Sequence, residues 1–524
     1  MRPRESSDVK VASAIFVVAF AFLFWFNGNR FVPTNDEGIL LEPARQISRG
    51  ARPYVDFFGY MSPGSYWIQA AFFKVFGMFL WVGRLPTLID LSLQCALVFW
   101  LTAKLASQRA GWAALVVFAG FQIADPSFLT AQHRWDSGTL ALSGLCVTVI
   151  ASSFASFAAG GALLAAAAWC TPSAALVIVV ACGWILSSQA RRKAIVPFLG
   201  GIAAVSIAAT GWLAGEGSLQ AFAQQMIWLQ KNYSSVNVMA YGSVIGGYGR
   251  LFEGVAGPEA ALRALLLTLM ALPAILPPLA VILWFSLFRK ASLGTTVISG
   301  EVWRMVSLLV PATVALVATA FPRADLMHLS FVVALPYALV FAGCAHLLSV
   351  RAGAILSFTM IPFAALFSLN GVRSWFDTRP IETPAGRIRV AGDLIPAFHH
   401  YLSAVHSGDS LYVYPYMPIH YFVTQAENPT RFCYLNAGMM TKDDESQVLD
   451  SLRAHPPEWL MYMPLTRDEF LRVFPSGGAY SNRFEDVENW MDTNYEPSEG
   501  PSVNLFGYRL MRRKGSESVR NYLP

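Results

Sequence analysis

The sequence predicts a polytopic α-helical membrane protein with a soluble C-terminal α/β domain. Three observations carry that prediction. The 524 residues are 55% hydrophobic and 14% charged, with a mean hydropathy of +0.45, whereas soluble domains average about 45–50% apolar and about 25% charged. Apolar runs recur from residue 11 to residue 371, interrupted by short basic connections. Beyond residue 371 the pattern changes to short strand-like and helix-like stretches.

A span needs roughly 17–25 apolar residues, which places about eleven helices. They fall near 11–32, 82–103, 110–124, 137–153, 155–171, 173–189, 194–214, 262–287, 301–321, 328–349 and 351–371, with the crowded 137–189 region the least certain in number. Arg2, Arg4 and Lys10 ahead of the first run resemble a signal peptide. The run is long and aromatic and no small-residue cleavage site follows, so it reads as a retained helix. With the N-terminus in the cytoplasm, Lys104–Arg109, Arg191–Lys193, Arg289–Lys290 and Arg351 all lie inside, as the positive-inside rule requires. The same alternation puts the C-terminal domain on the outer side of the membrane.

Two domains are expected, a membrane domain over 1–371 and an outer α/β domain over 372–524. The membrane domain carries outer loops at 33–81 and 215–261. In the first, Ile39, Leu40, Ala44 and Ile47 form one apolar helical face, Met61 to Gly64 reads as a turn, and Tyr66 to Phe76 as an interfacial helix. In the second, Gln220 to Tyr233 reads as a helix on the membrane surface, followed by a Gly/Tyr-rich loop over Tyr241 to Arg250. The final domain shows strands at Leu411–Tyr414, Trp459–Met463 and Leu505–Met511, with helices at Asp443–His455, Thr466–Phe474 and Phe484–Asn494. That alternation predicts a partly parallel sheet, and about 150 residues suffice for a separate core.

Most of the unexplained polar residues fall on the outer face. Asp36-Glu37 opens the first loop. Asp36 suits a helix cap before Gly38, and Glu37 suits the positive end of that helix. Either also suits a base that deprotonates a hydroxyl. Arg52, Tyr54 and Asp56 follow as a cation, an aromatic and a carboxylate, readable as an interfacial ion pair or as substrate ligands. His133-Arg134-Trp135-Asp136 occupies a short outer loop, with Asp136 as a cap and Trp135 in the aromatic belt. In Arg323-Ala324-Asp325-Leu326-Met327-His328, Asp325 caps the next helix and His328 sits in its first turn. Ionisable groups there are rare and usually functional, and an arginine fork beside a helix N-terminus grips phosphate.

Other chemistries find little support. There is no Walker loop, G-x-S-x-G or H-E-x-x-H. Cys95, Cys146, Cys170, Cys182 and Cys344 lie in apolar runs and Cys433 stands alone in the tail, so no pair has metal-site spacing. His399-His400 reads as a surface pair. Asp36, Glu37, His133 and His328 could share a divalent metal, though no spacing demands one. The modest net charge of +5 gives no sign of a nucleic-acid partner.

The run Asp36-Glu37-Gly38…Ala44…Gly50-x-x-Pro53-Tyr54-x-Asp56-Phe57…Pro63-Gly64, with Arg323-x-Asp325-x-x-His328, resembles the bacterial relatives of the protein O-mannosyltransferase and aminoarabinose lipid A transferase group. These are glycosyltransferases of the GT-C fold. The resemblance covers about 370 residues of membrane domain and only loosely the tail, and is most specific at 34–64 and 321–328. It implies transfer of a sugar from a polyprenyl-phosphate carrier, normally with inversion, to an acceptor on the outer face. It also implies Asp36 as the catalytic candidate, with Glu37 beside it, and Arg52, Arg134 and Arg323 as phosphate holders. The tail lacks the repeat domains of the eukaryotic mannosyltransferases, which leaves lipid or glycan acceptors at least as well supported as protein ones.

Two rivals belong to other classes. A flippase for a lipid-linked saccharide should show inverted repeats and mid-membrane charges, and neither is evident. A membrane sensor should keep its ligand pocket wholly within 380–524, with no cavity beside Asp36.

Overall fold

The computed structural model of the chain describes residues 3–244, 254–348, 362, 364–366, 368–369, 371–464, 466–474, 484–498 and 507–515. Most of the described chain up to residue 376 is helical. Among the described residues five helices are long and apolar enough to cross a membrane: Ser7–Asn27 within α1 (Pro3–Asn27), α4 (Leu80–Leu105), Arg192–Gly215 ending in α9 (Ile195–Gly215), α12 (Leu272–Ser292) and α13 (Gly300–Ala318). Between them run α5 (Gln108–Ala124), α6 (His133–Ile150), α7 (Phe154–Cys170), α8 (Ala175–Leu186) and, later, α15 (Ala334–Leu347). Their outward faces stay apolar, with Val18, Val179 and Ile207 exposed, while Leu88, Phe118, Leu142 and Leu309 fill the interior. Exposed aliphatics beside a packed apolar interior are what a bilayer solvent demands.

Several boundaries differ from the sequence reading. The expected 262–287 helix is two, α11 (Pro258–Met270) and α12, because Pro273 opens a new helix after Ala271. The helix expected at 328–349 begins only at Ala334, after a short α14 (Leu326–Ser330). His133 to Asp136 is the first turn of α6, with Gln132 at the N-cap, rather than a loop. Asp36 likewise lies inside α2 (Asn35–Ser48), whose N-cap is Thr34, so it does not cap a helix at Gly38. Much of the 351–371 span and of the Tyr241–Arg250 loop lies outside the described residues.

The C-terminal part adds a hairpin and a sheet. Strands β1 (Thr378–Thr383) and β2 (Gly386–Ala391) pair antiparallel. In the second sheet β3 (Leu411–Tyr414) runs parallel to β4 (Trp459–Tyr462), and β6 (Arg509–Arg513) joins β4 to β5 (Tyr495–Pro497) with antiparallel pairing. The parallel pair is as the alternation of strands and helices predicts. The last strand starts four residues late, at Arg509, where Gly507 takes a positive φ of 91°.

The core of this part is not separate. Ile388, Val413, Phe422 and Tyr434 share one apolar cluster with Phe31, Leu40, Leu41, Ala44, Tyr66 and Leu80 of the first loop region. The apolar face of α2 therefore packs on the tail, with α3 (Pro63–Phe76) beside it. Gly38 is the closest approach: a Cβ there would stand 2.1 Å from the Ile419 backbone nitrogen. Backbone hydrogen bonds stitch the same seam, from Phe31 to Arg389 (2.8 Å), Arg389 to Asn29 (2.7 Å), Leu80 to Ala385 (3.0 Å) and Phe58 to Arg431 (2.7 Å). Gly50, at φ 100°, ends α2 in a backbone shape that favours glycine.

Candidate functional site

At the seam between helices and sheet lies a cavity of about 220 Å³. Stretches far apart in sequence meet there, among them Tyr60 and Met61 of the first loop and Tyr233 and Asn237 after the second surface helix. The start of α2 brings Thr34 and Asp36, and the start of α6 brings Gln132, His133 and Arg134. The 319–328 connection brings Arg323 and His328, and the tail brings Tyr416, Tyr434, Asn436 and Phe474. Five of the sequence-selected residues thus share one cavity: Asp36, His133, Arg134, Arg323 and His328.

Each cation is held by neighbouring structure. Asp325 caps α14 through the His328 amide (2.9 Å) and also engages His328 Nδ1 (2.9 Å) and Arg323 Nε (3.1 Å). Burial pushes the Asp325 carboxyl up, but the His328 hydrogen bond and the His328 and Arg323 charges outweigh it and hold the group below its ordinary value. Arg323 donates further to Asn237 Oδ1 (3.2 Å) and lies 5.2 Å over the Phe474 ring. Its loop is fixed by backbone bonds from Met239 to Pro322 (3.0 Å) and Gly242 to Ala324 (2.8 Å). Arg134 donates to the Thr319 carbonyl (3.1 Å), and His133 Nδ1 meets Thr171 Oγ1 (2.9 Å).

Among the described residues Asp36 makes no hydrogen bond or salt bridge and is the only acid lining the cavity. Tyr60 and Tyr233 stand near it. Burial pushes the Tyr60 phenol well up and the Asp36 charge adds to this. Burial also raises Tyr233, against the opposing pull of Arg134 and Arg323. Both phenols therefore keep their protons and serve as donors. A carboxylate without a fixed partner, facing two arginines across a small cavity, can take a proton while the cations receive negative charge.

The other selected residues lie elsewhere. Glu37 is fully buried in a two-pronged pair with Arg84 of α4 (2.7 and 2.8 Å) and also accepts from the Ala131 amide (3.1 Å). Arg84 Nη1 completes the knot at the Asn27 carbonyl (2.7 Å). So engaged, Glu37 is unavailable as a base, and Asp36, Glu37, His133 and His328 do not gather; no group of three metal-ligating side chains occurs among the described residues. Arg52 and Asp56 pair with each other on the surface (2.8 Å). Tyr54, at a positive φ of 65°, donates to the Met61 carbonyl (2.7 Å) and Arg431 reaches its carbonyl (2.9 Å). That trio shapes the loop rather than the cavity.

Sequence reasoning passed over Tyr60, Tyr233, Asn237 and all the tail residues. It also passed over Arg84, whose signal was present: an arginine inside an apolar run needs a buried partner. A second cavity of about 400 Å³ adjoins the first, sharing Ser127 and Met327, and is lined by Phe121, Ala124, Phe128 and Leu326 among others.

No family model matches the chain, and no curated protein matches it. Among solved structures it is similar to an oligosaccharyltransferase from Archaeoglobus fulgidus in complex with Zn and sulfate, at 11% identity and TM-score 0.46, over 87% of this chain and 67% of that one. It is similar to ArnT from Cupriavidus metallidurans bound to undecaprenyl phosphate, at 13% identity and TM-score 0.44, over 98% of both chains. A third is the archaeal oligosaccharyltransferase AglB from Archaeoglobus fulgidus in complex with an inhibitory peptide and a dolichol-phosphate, at 11% identity and TM-score 0.45, over 97% of this chain and 74% of that one.

Proposed function

We propose that this protein is a membrane glycosyltransferase that moves a sugar from a polyprenyl-phosphate donor to a hydroxyl acceptor at the outer face of a bacterial cytoplasmic membrane. The observation that carries the reading is the meeting of Asp36, Arg134 and Arg323 in one cavity, although segments about 100 and 190 residues apart supply them. The motif resemblance over 34–64 and 321–328 points the same way.

In this reading the donor phosphate lies between Arg134 and Arg323, with His133 and His328 close by. The acceptor oxygen attacks the anomeric carbon, the carbon–oxygen bond to phosphate breaks, and polyprenyl phosphate leaves with the bonding pair. The acceptor proton passes to Asp36. The arginines are already held in place by Thr319, Asn237 and Asp325, so they stabilise the departing charge without reorganising. Opposite-face placement of base and leaving group gives inversion. The adjoining apolar cavity at Phe121, Phe128 and Leu326 suits the first isoprene units. The acceptor is a lipid, a glycan or a protein hydroxyl, and the C-terminal part forms one wall of the site.

The test uses the purified full-length protein in nanodiscs with synthetic polyprenyl-phosphate monosaccharides and envelope extracts as acceptor. Wild type transfers label. Asp36→Asn, which keeps shape and removes the base, lowers kcat by about 10²–10⁴-fold. Full activity in a folded Asp36→Asn protein would remove Asp36 from the mechanism.

A further inference from the structure

Several polar side chains around the cavity lack a side-chain partner among the described residues. Gln132, Tyr434 and Asn436 are buried, at 4%, 2% and 8% exposure, and all three line the cavity. Among the described residues Gln132 Nε2, the Tyr434 hydroxyl and Asn436 Oδ1 nevertheless have no hydrogen-bond partner, and neither does Thr34 Oγ1 on the same wall. Buried polar atoms are nearly always satisfied, so a group of orphans at one cavity marks where a ligand or its waters complete the set.

Their positions add meaning. Thr34 and Gln132 are the N-cap residues of α2 and α6, directly ahead of Asp36 and of His133-Arg134. Neither side chain caps its helix, although a threonine at such a position commonly does. Tyr434 and Asn436 come from the tail, where Tyr434 packs edge-on against Tyr60 at 5.7 Å. Polar readers thus stand on both sides of the reacting groups, with aromatic faces between them.

The chemistry of the set narrows the ligand. All four are neutral amides or hydroxyls, which match the alternating donors and acceptors of a polyol. Among the described residues Asp36 is the only carboxylate on the lining, and the mechanism above already occupies it, so a cationic amino sugar would find no second anion on that lining. About 220 Å³ also lies below the roughly 300–1,000 Å³ of drug-sized sites, which suits one monosaccharide and not an oligosaccharide.

We infer that Gln132, Tyr434 and Asn436 read the hydroxyl groups of a single neutral sugar on the donor, so that the tail sets sugar specificity. This rests on the transferase reading above. Tyr434→Phe is the sharpest probe because it deletes a hydroxyl that no described residue uses; Asn436→Ala is its companion.

The experiment compares wild type and both variants, full length in nanodiscs, on polyprenyl-phosphate glucose, galactose, mannose and 4-amino-4-deoxyarabinose. Binding of bare polyprenyl phosphate and the thermal midpoint are measured alongside. Wild type prefers a neutral donor over the amino sugar by at least tenfold. Each variant lowers kcat/KM on that donor about three- to tenfold, with binding of the bare lipid and the midpoint unchanged. Preference for the amino sugar, unaltered kcat/KM in both variants, or an equal loss of bare-lipid binding would overturn the inference while leaving the transferase reading intact. No transfer by wild type from any donor, despite bare-lipid binding, would overturn both.

Discussion

Asp36 and Glu37 are adjacent on the first turn of α2, yet they belong to two different polar regions. Glu37 enters a sealed knot in which every charge is met: both its oxygens by Arg84, one again by the Ala131 amide, and Arg84 in turn by the Asn27 carbonyl. Asp36 faces a cavity whose polar groups are left incomplete. The knot joins the end of α1, the start of α4 and the segment entering α6 around one ion pair. It thereby fixes the base of α2, and with it the place of Asp36. The contrast separates scaffold from chemistry on physical grounds: a fully paired buried charge is held by its partners, whereas an incompletely paired one is ready for a substrate.

Four perturbations test that separation, from the largest effect to the smallest. Breaking the knot on one side leaves a buried charge alone, so Glu37→Gln or Arg84→Met should destabilise by about 3–5 kcal/mol. Thermal unfolding in detergent reads this out, and activity should be lost with the fold. A midpoint within a degree of wild type would contradict the scaffold role. Next comes Gly38→Ala, which drives a methyl into the Ile419 backbone and should cost about 1–3 kcal/mol by overpacking. Because it parts α2 from the tail, protease cleavage in the 378–391 hairpin should rise with it.

Asp325→Asn sits nearer the chemistry. It removes the anion that orients Arg323 and His328, and kcat should fall about tenfold, with the midpoint at pH 7 lowered by less than in Glu37→Gln. The same carboxylate gives a pH signature. Its native value is held below the ordinary 3.8, so its contribution to stability is complete above that pH. The contribution is lost as pH falls further, through the lowered native value. Midpoints recorded from pH 7 down to pH 3 should therefore drop less steeply at the acid end in Asp325→Asn than in wild type; parallel curves would exclude the linkage. Arg52→Ala should do least. Its pair with Asp56 is solvent-exposed, and such pairs contribute almost nothing measurable, so both midpoint and turnover should match wild type. A tenfold loss of turnover would bring Arg52 back as a substrate ligand.

What the sequence revealed followed from where a signal is local. Ionisable residues at the ends of apolar runs stand out against their surroundings, and Asp36, His133, Arg134, Arg323 and His328 were all legible in that way before converging on the cavity. The apolar face of α2 was also legible, from Ile39, Leu40, Ala44 and Ile47, although its partner proved to be the tail. Tyr434, Asn436 and Phe474 were not legible, because their place depends on packing between segments about 400 residues apart and no local pattern records it. Arg52, Tyr54 and Asp56 carried the same composition as a binding motif, but Tyr54 and Asp56 turn to bonds within their own loop. Composition alone does not distinguish a loop that shapes itself from one that meets a ligand.

The shared core also has a consequence in time. Ile39 and Leu40 must wait for Ile388 and Phe422 before their apolar face can be covered. Ribosomes add about 5–20 residues each second, so about 350 residues of further synthesis leave that face uncovered for roughly 20–70 seconds. Throughout that interval the part of α2 that the tail later covers has only the membrane surface or a chaperone to lie against. A ribosome that stops before residue 388 would therefore release a chain with an unfinished and sticky first loop.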